Sequence, residues 1–344
     1  MPGSVRLTLV RHGESTWNAT GQWQGQHDVP LSARGRLEVR ALAERLFGAR
    51  FDRAIASDLS RAFETGQAVG VSETDRRLRE VDVGAWSGLH REEVALRFPD
   101  EVRALRAGLP VRIGGGESMA EFEARVDAVI DELAGRHRGQ DVLAVTHGGV
   151  VRALATRVLG VRGRLSPLVG VGNTSLSHVV FEGVVFEGAV FERAPRLALY
   201  NDATHLEPAD LEPTVMPEPT ARVALVAADP SAPADRHLAD RILSRLGIAR
   251  FGAAGVATAL PLSDDLVAEP LGDDPMQAFE ALRAEQEGGA FALVLTPSEV
   301  VATLGAVLAL PSTDGLLAPA HGAVAQLRVS TRGALLHSYG VSLS

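Results

Sequence analysis

Two tripeptides in this chain carry side chains able to do chemistry on an anion. Arg11-His12-Gly13 follows the apolar run Val5 to Val10, and His147-Gly148-Gly149 follows Asp141 to Thr146. Between them lie Arg61, in Ser57-Asp58-Leu59-Ser60-Arg61-Ala62, and Glu80, in Leu78-Arg79-Glu80-Val81-Asp82. Two imidazoles, two guanidiniums and a carboxyl group suit phosphoryl transfer. A neutral imidazole nitrogen can attack phosphorus to give a phosphohistidine, which splits one difficult displacement into two easier ones. Charge on the transferred group sits mainly on its nonbridging oxygens, so fixed donors around it supply most of the stabilisation. Arg11 and Arg61 offer planar forks for those oxygens, and His147 offers one further bond. Gly148 and Gly149 open a helix whose free N–H groups favour an anion. Glu80 is then the group that protonates the leaving oxygen and later helps to activate water. The scheme needs no metal and no cofactor. One histidine near a strand end is more often structural than catalytic, so the weight falls on the co-occurrence of all five groups.

Positioning these groups needs alternating strands and helices. Val5 to Val10 reads as a buried strand, and Ser32 caps a helix with Leu37, Ala41, Leu42 and Leu46 on its apolar face. Phe51 to Ser57 reads as a strand, and Asp58 to Val69 as a short helix with Arg61 in its first turn. Met119 to Leu133 carries Phe122, Val126, Val129, Ile130 and Leu133 on one helical face. Asp141 to Thr146 is a strand and Gly149 to Leu159 a helix. Such alternation predicts an α/β fold with a mostly parallel sheet. Leu176 to Phe191 repeats Val-Val-Phe-Glu-Gly and reads as short strands turning at Glu182-Gly183 and Glu187-Gly188.

The chain has 344 residues, 46% of them hydrophobic and 22% charged, and no cysteine. Disulfides, thiolate catalysis and Cys-ligated metals are therefore excluded. A net charge of −9 argues against general nucleic-acid binding. No apolar run is long enough to cross a bilayer, and Met1 to Arg6 lacks a secretory pattern, so the sequence reads as cytoplasmic with no membrane partner. All 34 basic residues are arginine, so any fixed cation near a phosphate is Arg, His or a backbone dipole.

Glu207 to Thr220 holds Pro208, Pro213, Pro217 and Pro219 among acidic residues and reads as an extended linker. Three segments follow: residues 1–206, a linker at 207–221, and residues 222–344. The last repeats the first in outline. Leu143 to Leu154 aligns with Leu293 to Leu304, and Leu9-Val10 with Leu225-Val226. In that alignment Arg11 becomes Ala227, His12 becomes Ala228 and His147 becomes Pro297, so the second half lacks the reactive groups.

Leu9-Val10-Arg11-His12-Gly13-Glu14-Ser15-Thr16-Trp17-Asn18, Gln24-Gly25 with Pro30-Leu31-Ser32, Ser57 to Ala62, Leu78-Arg79-Glu80 and Thr146-His147-Gly148-Gly149 together resemble the histidine phosphatase superfamily, the phosphoglycerate-mutase-like clan. The resemblance covers about residues 5 to 206. It implies a three-layer α/β/α sandwich with the site at the carboxyl ends of the strands; the repeat described above adds the expectation of a smaller degenerate α/β domain of the same type at 222–344. The resemblance also implies His12 as nucleophile, Glu80 as proton donor, and Arg11, Arg61 and His147 as the phosphate pocket. Asn18, Gln24 and the backbone at Gly148 complete the substrate contacts. The mutases of the clan carry Asn-Glu-Arg around the acid and His-Gly-Asn at the second histidine. This chain has Leu78-Arg79-Glu80 and Gly148-Gly149 there, which favours a phosphatase of a small phosphomonoester over a cofactor-dependent phosphoglycerate mutase. Trp17, Trp23, Trp86 and residues 100–116 are the expected readers of the leaving group. Arg103, Arg106 and Arg112 read equally as a lid or a solvated helix. Residues 222–344 read as a partner-binding or dimerisation module, which is compatible with a homo-oligomer, or as a passive stabiliser.

Overall fold

The computed structural model describes residues 3–162, 167–185, 190–191, 194–206, 221–228, 233–246, 250–253, 267–270, 274–277, 279–280, 290–330 and 333–342. The proline-rich stretch 207–220 and the turn at Glu187-Gly188 lie outside them.

The elements of the first half run in the order β1 (Val5–Arg11), α1 (Thr16–Thr20), α2 (Ala33–Arg45), β2 (Arg53–Ala56), α3 (Ser60–Ala68), α4 (Arg91–Arg97), α5 (Pro99–Arg106), α6 (Met119–Arg136), β3 (Asp141–Thr146), α7 (Gly148–Val158), β4 (Leu176–Phe181), the short pair β5 (Val184–Val185) and β6 (Val190–Phe191), and β7 (Arg196–Asp202). The second half adds β8 (Ala221–Ala227), α8 (Pro233–Leu246), β9 (Arg250–Ala253), β10 (Val267–Pro270), β11 (Ala290–Leu295), α9 (Pro297–Val307), β12 (Ala323–Ser330) and β13 (Gly333–Ser342).

Eleven strands form one sheet in the order β10-β9-β11-β8-β12-β13-β7-β4-β1-β3-β2. It is mixed rather than mostly parallel. β1, β2 and β3 pair in parallel, whereas β4 lies antiparallel to β1 and β7 antiparallel to β4. The reason is local: β4 to β7 returns through short connections, which favour antiparallel neighbours, while β1, β2 and β3 are joined through helices. The second half reads the same way from its outer side. β9, β11 and β8 are parallel, β12 is antiparallel to β8, and β13 antiparallel to β12. The two series meet where Tyr200 on β7 faces Tyr339 on β13.

The centres of β1 and β3, Leu7 to Val10 and Val142 to Val145, are buried on both faces, as in other covered parallel strands. Leu7, Leu9, Val142 and Ala144 point into one large cluster with Phe122, Val126, Val129 and Ile130 of α6 and with Leu225, Leu293 and Leu327 of the second half. Val10, Leu143 and Val145 point the other way, against Leu42 of α2. Each such buried side chain contributes about 1.5–3 kcal/mol. The apolar face of α2 differs from the one its spacing suggests. Gly35, Glu38, Val39 and Leu42 are buried, and Leu37 is 61% exposed. Gly35 decides this rotation: a Cβ there would meet the Glu14 carbonyl oxygen at 2.0 Å, so the helix backbone touches the loop after β1 directly. Glu38 sits under the same loop and accepts from Glu14 N at 2.7 Å.

No helix among the described residues is long and apolar enough to cross a membrane.

Candidate active site

The reactive groups gather at the carboxyl ends of the three parallel strands, where an open α/β sheet leaves backbone groups free to face a ligand. β1 ends at Arg11 and delivers His12, β3 ends at Thr146 and delivers His147, and the chain after β2 enters α3 with Arg61 at its second position. Parallel pairing of Arg11 with Thr146, and the bond from His12 N to Thr146 O at 2.9 Å, set the two histidines side by side. Their ring centroids are 5.0 Å apart in an edge-to-face arrangement.

His12 is buried, and its Nδ1 lies 2.7 Å from Gly13 O. A carbonyl oxygen only accepts, so Nδ1 carries the proton and Nε2 holds the lone pair. Burial, then the Arg61 and Arg11 guanidiniums, push the ring well below its ordinary pKa of 6.5, which keeps it neutral near pH 7. Nε2 faces Arg61 Nε at 3.3 Å, a long contact that an incoming phosphoryl group can displace. Arg61 itself is fully buried and fixed by two carbonyls, with Nη1 donating to His27 O and Nη2 to Gly25 O, both at 2.8 Å. Burial lowers its pKa to about 10, so it remains a cation at neutral pH.

Arg11 turns its guanidinium into the same space. Nη1 donates to Val171 O, and its buried Nε has no partner among the described residues. Burial lowers its pKa, and Glu80 is the strongest charge opposing that change. Gly148 leaves room for this side chain, since a Cβ there would lie 3.4 Å from Arg11 Cδ and Nε. His147 is also held neutral, first by burial and then by Arg61. Its Nε2 lies 2.8 Å from Ser57 Oγ, while its buried Nδ1 has no partner among the described residues. Two buried, unpartnered nitrogens in one cluster, Arg11 Nε and His147 Nδ1, make a set that an anionic oxygen would satisfy.

Glu80 occupies the start of α7. Gly149 N donates to its Oε2 and Val81 N to its Oε1, both at 2.9 Å. The helix N-terminus expected to meet substrate is thus partly taken by this carboxyl group. A Cβ at Gly149 would stand 1.9 Å from Glu80 Oε1, so a larger residue there forces the carboxyl group to move. Gly149→Ala should displace the carboxyl group and lower kcat by roughly 10- to 100-fold, a usual cost of misplacing a catalytic group. Measuring kcat beside the melting temperature checks this; unchanged kcat would show that the placement of Glu80 does not matter.

Asn18 and Gln24 lie one layer out. Asn18 Oδ1 accepts from Ser15 N and Ser15 Oγ, and Gln24 Oε1 accepts from Ser15 Oγ at 2.7 Å, so the two amide nitrogens remain available as donors. Neither side chain bonds to Arg11, His12, Arg61, Glu80 or His147. Arg103 and Arg112 face outward in ion pairs with Asp100 and Glu121. Trp86 is fully buried against Trp23, so it cannot read a leaving group; Trp17 stacks on His27 at 4.8 Å.

Several supporting residues escaped sequence reasoning. Arg125 on α6 donates to the carbonyls of Arg77, Arg79 and Glu80 and pairs with Glu117, whose Oε2 also accepts from Asp82 N. It fixes the backbone that presents Glu80. The available signal was Glu117 directly after the glycine run and an arginine beside the buried face of α6. Asp58 binds Arg79 through both oxygens at 2.7 and 2.6 Å and so removes that arginine from the pocket. Val171 and the carbonyl of His27 gave no sequence signal; Ser57 and Gly25 stand in the sequence motifs, but nothing there assigns the Ser57 hydroxyl to His147 or the Gly25 carbonyl to Arg61.

Residues 7–191 match the family model described as histidine phosphatase superfamily (branch 1). The chain belongs to the histidine phosphatase superfamily. It is an enzyme of the histidine phosphatase type. Over 163 residues it is 36% identical to phosphoserine phosphatase 1 of Hydrogenobacter thermophilus, covering 46% of this chain and 77% of that one. It is 33% identical over 184 residues to a probable phosphoglycerate mutase of an Enterobacter species, covering 52% and 86%. Among solved structures, a mycobacterial glucosyl-3-phosphoglycerate phosphatase superposes with a TM-score of 0.51 at 29% identity, covering 58% of this chain and 99% of that one.

Proposed function

We propose that this protein is a metal-independent phosphomonoesterase of a small phosphorylated metabolite, working through a phosphohistidine on Nε2 of His12. The observation that carries this reading is the state of the His12 ring: neutral, with its proton on Nδ1 and its lone pair facing Arg61. Nε2 attacks phosphorus as the bond to the leaving oxygen breaks, and the protonated Glu80 carboxyl group delivers its proton to that oxygen. The resulting carboxylate is stabilised by the amides of Val81 and Gly149. It then takes a proton from water as the water oxygen attacks phosphorus, the P–N bond breaks, and its electron pair returns to Nε2. Arg11, Arg61 and His147 hold the nonbridging oxygens throughout, and Asn18, Gln24 and Gly148 N contact the substrate. Their fixed positions supply the electrostatic stabilisation that a metal would supply elsewhere.

Residues 1–206 in this reading form the catalytic domain, a three-layer α/β/α sandwich, and residues 222–344 a smaller degenerate copy joined through 207–221. Support for the copy comes from the identical sequence of strand directions in the two halves and from equivalent hydrogen bonds, His12 N to Thr146 O and Ala228 N to Leu295 O. On that pattern Ala228 stands for His12 as the sequence alignment has it. The residue capping the following helix, Thr296 rather than Pro297, stands for His147. The copy would carry no chemistry.

Turnover of an aryl phosphate, phosphoserine, sugar phosphates and phosphoglycerates in the presence of a chelator tests the reading. Phosphate release unaffected by chelator is expected. Loss of activity on chelation would contradict it, and isomerisation of 3-phosphoglycerate faster than phosphate release would make the protein a mutase.

A further inference from the structure

The segment Pro167 to Ser175, between α7 and β4, touches the site at two points. Val171 O accepts from Arg11 Nη1. Asn173 Nδ2 donates to His12 O at 3.0 Å, and Thr174 N points at the same oxygen at 3.4 Å. Thr174 is fully buried with φ of 53°, a conformation that costs a β-branched residue energy and persists only where surrounding contacts impose it. The bond to Val171 is the one hydrogen bond that Arg11's guanidinium makes among the described residues. Arg61 has two carbonyl anchors from its own half, so of the two phosphate-facing arginines only Arg11 depends on this strap.

The strap is in turn fastened to the second half. Val169 N donates to Leu336 O at 2.9 Å and Leu336 N donates to Pro167 O at 2.6 Å, so β13 grips it from both sides. Tyr200, buried on β7, donates its hydroxyl to Val169 O at 3.0 Å. Asn201 completes the clamp. Its Oδ1 accepts from Gly172 N at 2.7 Å and its Nδ2 donates to His337 O at 2.9 Å, spanning strap and β13 with one amide. Its φ of 57° lies in the left-handed region that asparagine tolerates better than most residues. The bonds run without a break from β13 through Asn201 and Gly172 to the neighbouring Val171, and from there to Arg11.

We propose that the second half braces the phosphate pocket, with β13 and Asn201 as positioning elements that set the strap and thereby the Arg11 guanidinium. This role rests on the reading of Arg11 and His12 as the phosphate site. A passive stabiliser would add melting temperature alone, whereas a brace also sets affinity for the phosphoryl group.

Two variants of the full chain separate these. Asn201→Asp keeps the acceptor for Gly172 N, and replaces the donor to His337 O with a carboxylate oxygen. Tyr200→Phe removes only the hydroxyl and preserves packing if the first variant fails to fold. The measurements are the inhibition constant of inorganic phosphate, KM and kcat for an aryl phosphate, and melting temperature. Asn201→Asp should raise both the inhibition constant and KM by about tenfold, equivalent to about 1.4 kcal/mol, and Tyr200→Phe should shift them in the same direction by about threefold. A lowered melting temperature with inhibition constant and KM within twofold of wild type would overturn the brace. A wild-type protein that neither binds phosphate nor turns over would instead overturn the site reading on which the brace rests.

Discussion

His12→Ala should lower kcat by roughly 10,000-fold or more while the protein remains folded, because on the proposed mechanism it removes the nucleophile and leaves only binding and fixed charges. The ring is buried, packs edge-to-face on His147, and makes one hydrogen bond to Gly13 O and a long contact to Arg61. Its loss leaves a cavity beside His147 that lowers the melting temperature without unfolding the chain. Circular dichroism should stay close to wild type while steady-state turnover of an aryl phosphate disappears. Equal turnover by wild type and variant would remove His12 from the mechanism.

Arg61→Ala should lower kcat/KM by about 1,000-fold and destabilise the fold as well. The catalytic part follows from the proposed mechanism, in which Arg61 Nε, 3.3 Å from His12 Nε2, meets a nonbridging oxygen of the phosphoryl group; loss of one such donor commonly costs 100- to 1,000-fold. The structural part follows from the carbonyls of Gly25 and His27, which accept from the two Nη groups of Arg61. The buried Gly25 carbonyl left unpaired costs about 1–3 kcal/mol, and the His27 carbonyl costs less because its residue is exposed and water can reach it. Arg61→Lys should recover little of either, since an ammonium cannot donate to both carbonyls and to the phosphoryl group with the same planar fork. Kinetics and chemical denaturation of both variants give the answer. Near-normal kcat/KM in Arg61→Lys would show that charge alone is required there.

Much of this site is legible in the sequence for a physical reason. His12 and His147 each directly follow a strand with a buried apolar centre, and parallel pairing of these strands brings their carboxyl ends together. α3 follows β2 within a few residues, so its first turn has to lie at the same edge. Arg11 and Arg61 are therefore placed by short-range order plus one pairing rule, whereas Glu80 lies in a loop whose position depends on Arg125 of α6. What the sequence hides is mostly backbone. The carbonyls of Gly25, His27 and Val171 hold the two arginines, and nothing in the identity of those residues reveals which way their peptide planes turn. Arg125 is hidden differently, since its charge reads as a solvated helix position and only the packing of α6 under the Glu80 loop gives it work. The face of α2 was misjudged at Leu37 because close approach at Gly35, rather than hydrophobicity, sets the rotation of that helix. Trp86 looks like a pocket residue by position, yet the loop folds it inward against Trp23 and Ile113.

The central claim is that phosphorus passes through Nε2 of His12. Rapid acid-free quenching of the enzyme during turnover of a labelled phosphomonoester, followed by peptide mapping, tests it most directly. The expected result is an alkali-stable, acid-labile phosphoryl group on His12 of wild type. With an aryl phosphate whose leaving oxygen departs without a proton, it should accumulate further in Glu80→Gln, because hydrolysis of the intermediate slows and its formation does not. A label on another residue, or turnover with no phosphoenzyme in either protein, would contradict the mechanism.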